Sequence, residues 1–119
     1  MRMPRLSKRL SAGDARHFVG GDVFEAVARA TCAADVGMPR KELYENWAMA
    51  QLVHDRAWGG PRPPPARVVD VASGHGLLGW FLLALCAARA SPPATVFAVD
   101  RRMPESAALP LLKPVTSTF

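Results

Sequence analysis

Residues 67–79 read Arg67-Val68-Val69-Asp70-Val71-Ala72-Ser73-Gly74-His75-Gly76-Leu77-Leu78-Gly79. A β-branched run ends at two closely spaced glycines, and an apolar stretch begins directly after them. From Leu77 to Arg89 the chain is apolar on nearly every face, as expected of a helix packed between a sheet and other elements. Ser91-Pro92-Pro93 ends that helix. Thr95-Val96-Phe97-Ala98-Val99 then forms a second short apolar run, closed by Asp100. Neither strand alternates apolar with polar, which predicts parallel strands covered on both faces. Strand, glycine turn, helix and strand within about 35 residues make a βαβ unit, whose crossover is expected to be right-handed. The fold class is therefore α/β.

Upstream of this unit the pattern is helical. Gly59-Gly60-Pro61-Arg62-Pro63-Pro64-Pro65 cannot be helix or central strand and reads as a semi-rigid linker over 59–65. Leu43, Trp47, Ala50, Val53 and Ala57 recur 4, 3, 3 and 4 residues apart, predicting one amphipathic helix from Pro39 to Trp58. Asp22 followed by Glu25 has capping-box spacing, and Val23, Val27 and Ala30 continue it as a helix over 22–34. Residues 1–21 carry scattered cations and no periodicity, which predicts a flexible basic arm. The βαβ unit spans 66–106. Residues 107–119 contain Pro110 and Pro114 and read as an irregular tail.

A chain of 119 residues suffices for one small domain, and 50% hydrophobic content supports a packed core. The formal net charge is +5, but Arg2, Arg5, Lys8, Arg9 and Arg16 supply much of the excess. The basic character thus belongs to the N-terminal arm, and no nucleic-acid-binding face is indicated. The longest apolar stretch, Leu77 to Ala88, falls short of the roughly twenty residues a bilayer requires. Cys32 and Cys86 lie far apart without zinc-site spacing. Both are expected to be reduced and buried, as suits an intracellular, cytoplasmic chain. The Arg-rich, acid-poor start also fits an organelle transit peptide.

Gly74-His75-Gly76-Leu77-Leu78-Gly79 satisfies G-x-G-x-x-G. The pattern has little specificity alone and gains weight from its place between a strand and a helix. Glycine supplies positive φ and lets a ligand approach the backbone. The helix start presents unpaired N–H groups and the positive end of its dipole. Asp100, 24 residues beyond Gly76, stands where an acid in such sheets accepts from both hydroxyls of a ribose. Paired with Arg101 or Arg102, it would instead be a solvated surface acid. Asp70 separates ligand classes: a carboxylate at the mouth of the turn opposes a pyrophosphate and suits a sulfonium with an α-ammonium group. Its structural alternative is to cap the turn's own amides.

The stretch Val68-Val69-Asp70-Val71-Ala72-Ser73-Gly74-His75-Gly76 resembles motif I, D/E-x-G-x-G-x-G, of the class I, Rossmann-like S-adenosylmethionine-dependent methyltransferases. Ala72 stands in place of the first glycine. Val96 to Asp100 resembles that family's second strand with its ribose-binding acid, and the helix holding Leu43-Tyr44-Glu45-Asn46-Trp47 resembles the one leading into its first strand. The resemblance covers residues 39–106. It implies that Asp70, Ala72, Gly74 and Gly76 line the methionine and sulfonium end of S-adenosylmethionine, that Asp100 holds the ribose, and that Met103 contacts the adenine. The family's sheet has about seven strands, whereas two are legible here, and no acceptor-positioning motif follows. The resemblance thus implies a cofactor half without a substrate half, an incomplete sheet, no measurable activity for this chain alone and an unidentified methyl acceptor. An open strand edge would favour self-association or a docking partner.

The same glycines, Gly74, Gly76 and Gly79, also fit an NAD(P)-dependent oxidoreductase fragment. A non-catalytic interaction module derived from a methyltransferase is a third reading. His75 lies inside the turn but shows no acidic partner in the sequence, so no general-base role is assigned to it. His17 falls in the arm, and His54 is expected on a helix surface. Tyr44, Trp47 and Trp58 are expected as core anchors. No metal site and no catalytic residue are indicated.

Overall fold

A computed structural model describes residues 6–71, 74–100 and, as backbone, 115–118. A 3₁₀ turn at Ala12–His17 precedes helices α1 (Val23–Ala34) and α2 (Arg40–Trp58). Strand β1 (Arg67–Val71), helix α3 (Leu77–Ala88) and strand β2 (Thr95–Val99) follow, then strand β3 (Val115–Thr118). The strands pair in parallel in the order β1-β2-β3. Arg67 aligns with Thr95, Val71 with Val99, and Val96 with Val115. The chain is α/β, built around a partial βαβ unit preceded by two helices.

Helix α3 explains its own composition. Leu77, Phe81, Leu82 and Leu85 face the helical layer, while Trp80 and Leu83 pack on Val96 and Val68 of the sheet. An amphipathic stripe would leave one of these partners against polar side chains. The helical layer meets α3 through aromatic rings: Phe81 stacks on Phe24 at 6.2 Å and lies 5.2 Å from Trp47. Leu43 and Ala50 of the expected α2 face are fully buried. Tyr44 remains 44% exposed, with its ring against Phe24, so it anchors less than Trp47, whose ring meets both Phe24 and Phe81. Cys32 and Cys86 are free and buried, and burial together with the Asp14 charge pushes the Cys32 thiol up to about 11.

Four features differ from the sequence expectation. Within the expected flexible arm, residues 6–18 are docked, with Leu6, Leu10 and Phe18 buried. Asp14 organises this strap by accepting from the Ser11 amide at 2.8 Å, the Ser11 hydroxyl at 3.1 Å and both donor groups of Ser7. These bonds, the Ser11 amide foremost, hold the Asp14 carboxyl below the usual carboxylate range. Backbone bonds from Leu10 to Met38 and from Arg40 to Lys8 stitch the strap to the start of α2. Secondly, residues 115–118 of the expected irregular tail form β3. Val115, Thr116 and Thr118 are β-branched, as suits a strand.

Thirdly, α3 covers one face of the sheet, and no described element covers the other. Val69 and Val71 are 59% and 73% exposed there, so the described elements leave this face of β1 open. Fourthly, His54 is buried, not on a helix surface. Among the described residues, no helix is long and apolar enough to cross a membrane.

Candidate functional site

The candidate site lies at the carboxyl ends of β1 and β2, where the glycine turn joins β1 to α3. Gly74 and Gly76 have φ of +56° and +75°, in the left-handed region that disfavours side chains. A Cβ built on either would meet nothing within 4 Å, so the turn faces open space. Gly79 has the opposite role. A Cβ there would come within 2.8 Å of Val96 Cγ1, so this glycine lets α3 lie directly on β2. The three glycines thus divide into two that shape the turn and one that brings the helix close to the strand.

Two carboxylates converge on the turn. Asp70 sits on β1 one residue before its end, and Asp100 directly follows β2. The Gly74 N–H donates to Asp100 Oδ2 at 2.7 Å, a short charge-assisted bond that fastens the turn to the end of β2. The role of capping the turn's amides, an alternative for Asp70, is therefore filled at Gly74 by Asp100. Burial first, and repulsion from Asp100 second, push the Asp70 carboxyl above the usual carboxylate range. The two carboxylates therefore repel each other across the carboxyl ends of β1 and β2.

His75 projects from the turn towards the helical layer, its Nε2 lying 3.6 Å from Glu42 Oε2 of α2. Glu42 is the acidic partner invisible in the sequence, since it stands 33 residues upstream and reaches His75 only because α2 docks on α3. The structure thus brings together Asp70, Gly74, Gly76 and Asp100. Ala72 and Met103, and with them Arg101 and Arg102, lie outside the described residues. No group of three or more His, Cys, Asp or Glu side chains able to hold a metal occurs among the described residues.

A cavity of about 410 Å³ lies elsewhere, between the first turn of α1 and the end of α3. Small apolar residues such as Ala26, Ala84 and Ala87 line it, and its one charged group, Asp22, already caps α1 through the Glu25 amide. That groove has no chemistry to offer. The site at the glycine turn does, on residues alone: no protein-family model matches the chain, and comparison with curated proteins and with solved structures returns no match.

Proposed function

We propose that this chain is an S-adenosylmethionine-binding, methyltransferase-like unit whose cofactor lies over the carboxyl ends of β1 and β2. The observation that carries the reading is the pairing of Asp70 and Asp100 around an open glycine turn whose Gly74 amide already serves a carboxylate. A pyrophosphate needs such amides as donors and meets two negative charges here. A sulfonium with an α-ammonium group meets charges of the opposite sign. The parallel order β1-β2-β3 also matches one half of a doubly wound sheet, in which ligands bind outside the carboxyl ends of the strands.

In this reading Gly74 and Gly76 admit the methionine end of the cofactor to the backbone, and Asp70 faces its positive charge. Asp100 accepts from the ribose hydroxyls while its Oδ2 retains the Gly74 amide, since a carboxylate offers about four lone-pair positions. Bound S-adenosylmethionine would supply an electrophilic methyl group. The protein's contribution is orientation and a charge environment fixed before the ligand arrives.

Calorimetric titration with S-adenosylmethionine, its demethylated product and NAD tests this. The expected order is S-adenosylmethionine and its product well ahead of NAD. Tighter binding of NAD would select the oxidoreductase reading, which the same three glycines admit. Binding of none would leave an interaction module built on the same scaffold.

A further inference from the structure

Helix α3 ends in a strained turn, and one buried histidine grips the residues on both sides of the strain. Ala90 has a φ of +52°, in the left-handed region. The Ser91 N–H closes back on the Cys86 carbonyl at 2.9 Å, the long bond of a Schellman end, in which glycine normally takes the left-handed position. The Cβ of alanine makes that conformation unfavourable, and such strain persists only where its surroundings enforce it.

The enforcing residue is His54 of α2. Its Nε2 lies 2.9 Å from Ser91 Oγ, and its Nδ1 lies 3.2 Å from Arg89 Nη1. The same Arg89 nitrogen donates to Asp55 Oδ1 at 2.7 Å. The Trp58 ring stacks on the imidazole at 5.4 Å with a 7° interplanar angle and fixes its plane. A guanidinium only donates, so Nδ1 must accept, the ring is neutral, and its Nε2–H donates to Ser91. This tautomer also removes Ser91 as a nucleophile activated by His54, because Nε2 already holds its proton.

We propose that His54 is a proton-operated latch on the turn joining α3 to β2. A proton arriving at Nδ1 removes the acceptor that Arg89 uses, sets an imidazolium beside a guanidinium, and releases the turn around Ala90. Among the described residues two charged groups face the ring. Arg89, at the end of α3, opposes protonation, and Asp55 of α2, with Oδ1 3.9 Å from Nδ1, favours it. Burial is the largest influence and acts with Arg89, so the ring titrates below the usual histidine range. The latch is therefore closed at neutral pH and opens as pH falls through the ring's own titration, below the usual histidine range. Opening loosens the approach to β2, where the Thr95 N–H bonds the Ala66 carbonyl, at the end of the sheet remote from Gly74 and Asp100.

The test is NMR on the 119-residue chain between pH 7.5 and 5. Long-range ¹H–¹⁵N spectra should show His54 as the Nε2–H tautomer at pH 7.5. Amide protection at Arg89, Ser91 and Thr95, corrected for intrinsic exchange rates, should fall about tenfold with the midpoint of His54 protonation. Arg89→Gln should move that midpoint upward, and Ala90→Gly, which relieves the strain, should reduce the loss of protection to less than about threefold. His54→Gln retains a donor for Ser91 and cannot titrate, so its protection should be flat with pH. Should that variant fail to fold, the titrations of the unsubstituted chain, Arg89→Gln and Ala90→Gly still decide. An Nδ1–H tautomer at pH 7.5, a midpoint unmoved by Arg89→Gln, or protection constant across the range would overturn the proposal.

Discussion

Gly79→Ala isolates the contact that sets α3 on the sheet. The added Cβ would lie 2.8 Å from Val96 Cγ1, roughly 1 Å inside ordinary carbon–carbon contact. Val96 is fully buried and β-branched, so it has little freedom to rotate away. Overpacking of this kind costs about 1–3 kcal/mol, whereas replacing a mid-helix glycine by alanine returns about 0.8–1 kcal/mol. The net expectation is a loss of about 0–2 kcal/mol, against a gain if helix propensity acted alone. Val96→Ala removes two methyl groups, at about 2 kcal/mol including the cavity. In that background Gly79→Ala should become neutral or stabilising, because the clashing methyl is gone. Urea unfolding followed by circular dichroism for the four proteins of the cycle gives the coupling directly, provided the m-values agree. A coupling energy of at least about 1 kcal/mol is expected. Additive effects, with Gly79→Ala stabilising in both backgrounds, would refute the close packing of α3 on β2.

The other expectations concern the acids. Asp70→Asn should raise stability at neutral pH by about 0.5–2 kcal/mol while weakening S-adenosylmethionine binding, the trade-off expected of a group placed for a ligand. Because the folded Asp70 carboxyl titrates above its unfolded value, its contribution to stability falls as pH rises through that folded value, and denaturation against pH should show the slope vanish in Asp70→Asn. Asp100→Ala should weaken cofactor binding by about 1.5–3 kcal/mol by calorimetry and increase exchange of the Gly74 amide. Asp14→Ala should cost about 1.5–3 kcal/mol in urea unfolding at neutral pH. Its carboxyl is held low in the fold, so its contribution is present above about pH 3.9 and lost as pH falls through the folded value, a loss that Asp14→Ala should no longer show.

What could be read from the chain was local. The ends of β1, α3 and β2 follow from glycine, proline and β-branched residues within a few positions of each boundary. The all-round apolarity of α3 announces a central helix before any partner is known. What escaped reading depends on distant contacts. Leu6, Leu10 and Phe18 show no helical or strand period, because their order comes from Asp14 and from backbone bonds to residues about 30 positions away. His54 falls on the apolar face of α2 by spacing, seven residues after Trp47 and four after Ala50, and what the sequence does not show is the pair of partners, Arg89 and Ser91, that an imidazole finds there at the end of α3. Burial along β1 alternates although its sequence does not, since apolar character cannot say which faces will find a cover. At the site, the glycines and both acids were legible, but the bond between Gly74 and Asp100 required the register of β1 against β2.

The contact of the Phe81 ring with Phe24 and Trp47 has a bearing on synthesis. The strap, α1 and α2 all lie within the first 58 residues, yet the rings they contribute have no central partner until residue 81 has been made. At about 5–20 residues per second, translating from Trp58 to Phe81 takes about one to five seconds. Through that interval Phe24 and Trp47 can pack on each other, on Phe18 and on Tyr44, but lack the Phe81 ring that both contact in the finished fold. The polar linker over 59–65 occupies part of that delay and adds no core residue. Slowing translation across this stretch would lengthen the exposure, and a holdase chaperone would find its target there before the sheet exists.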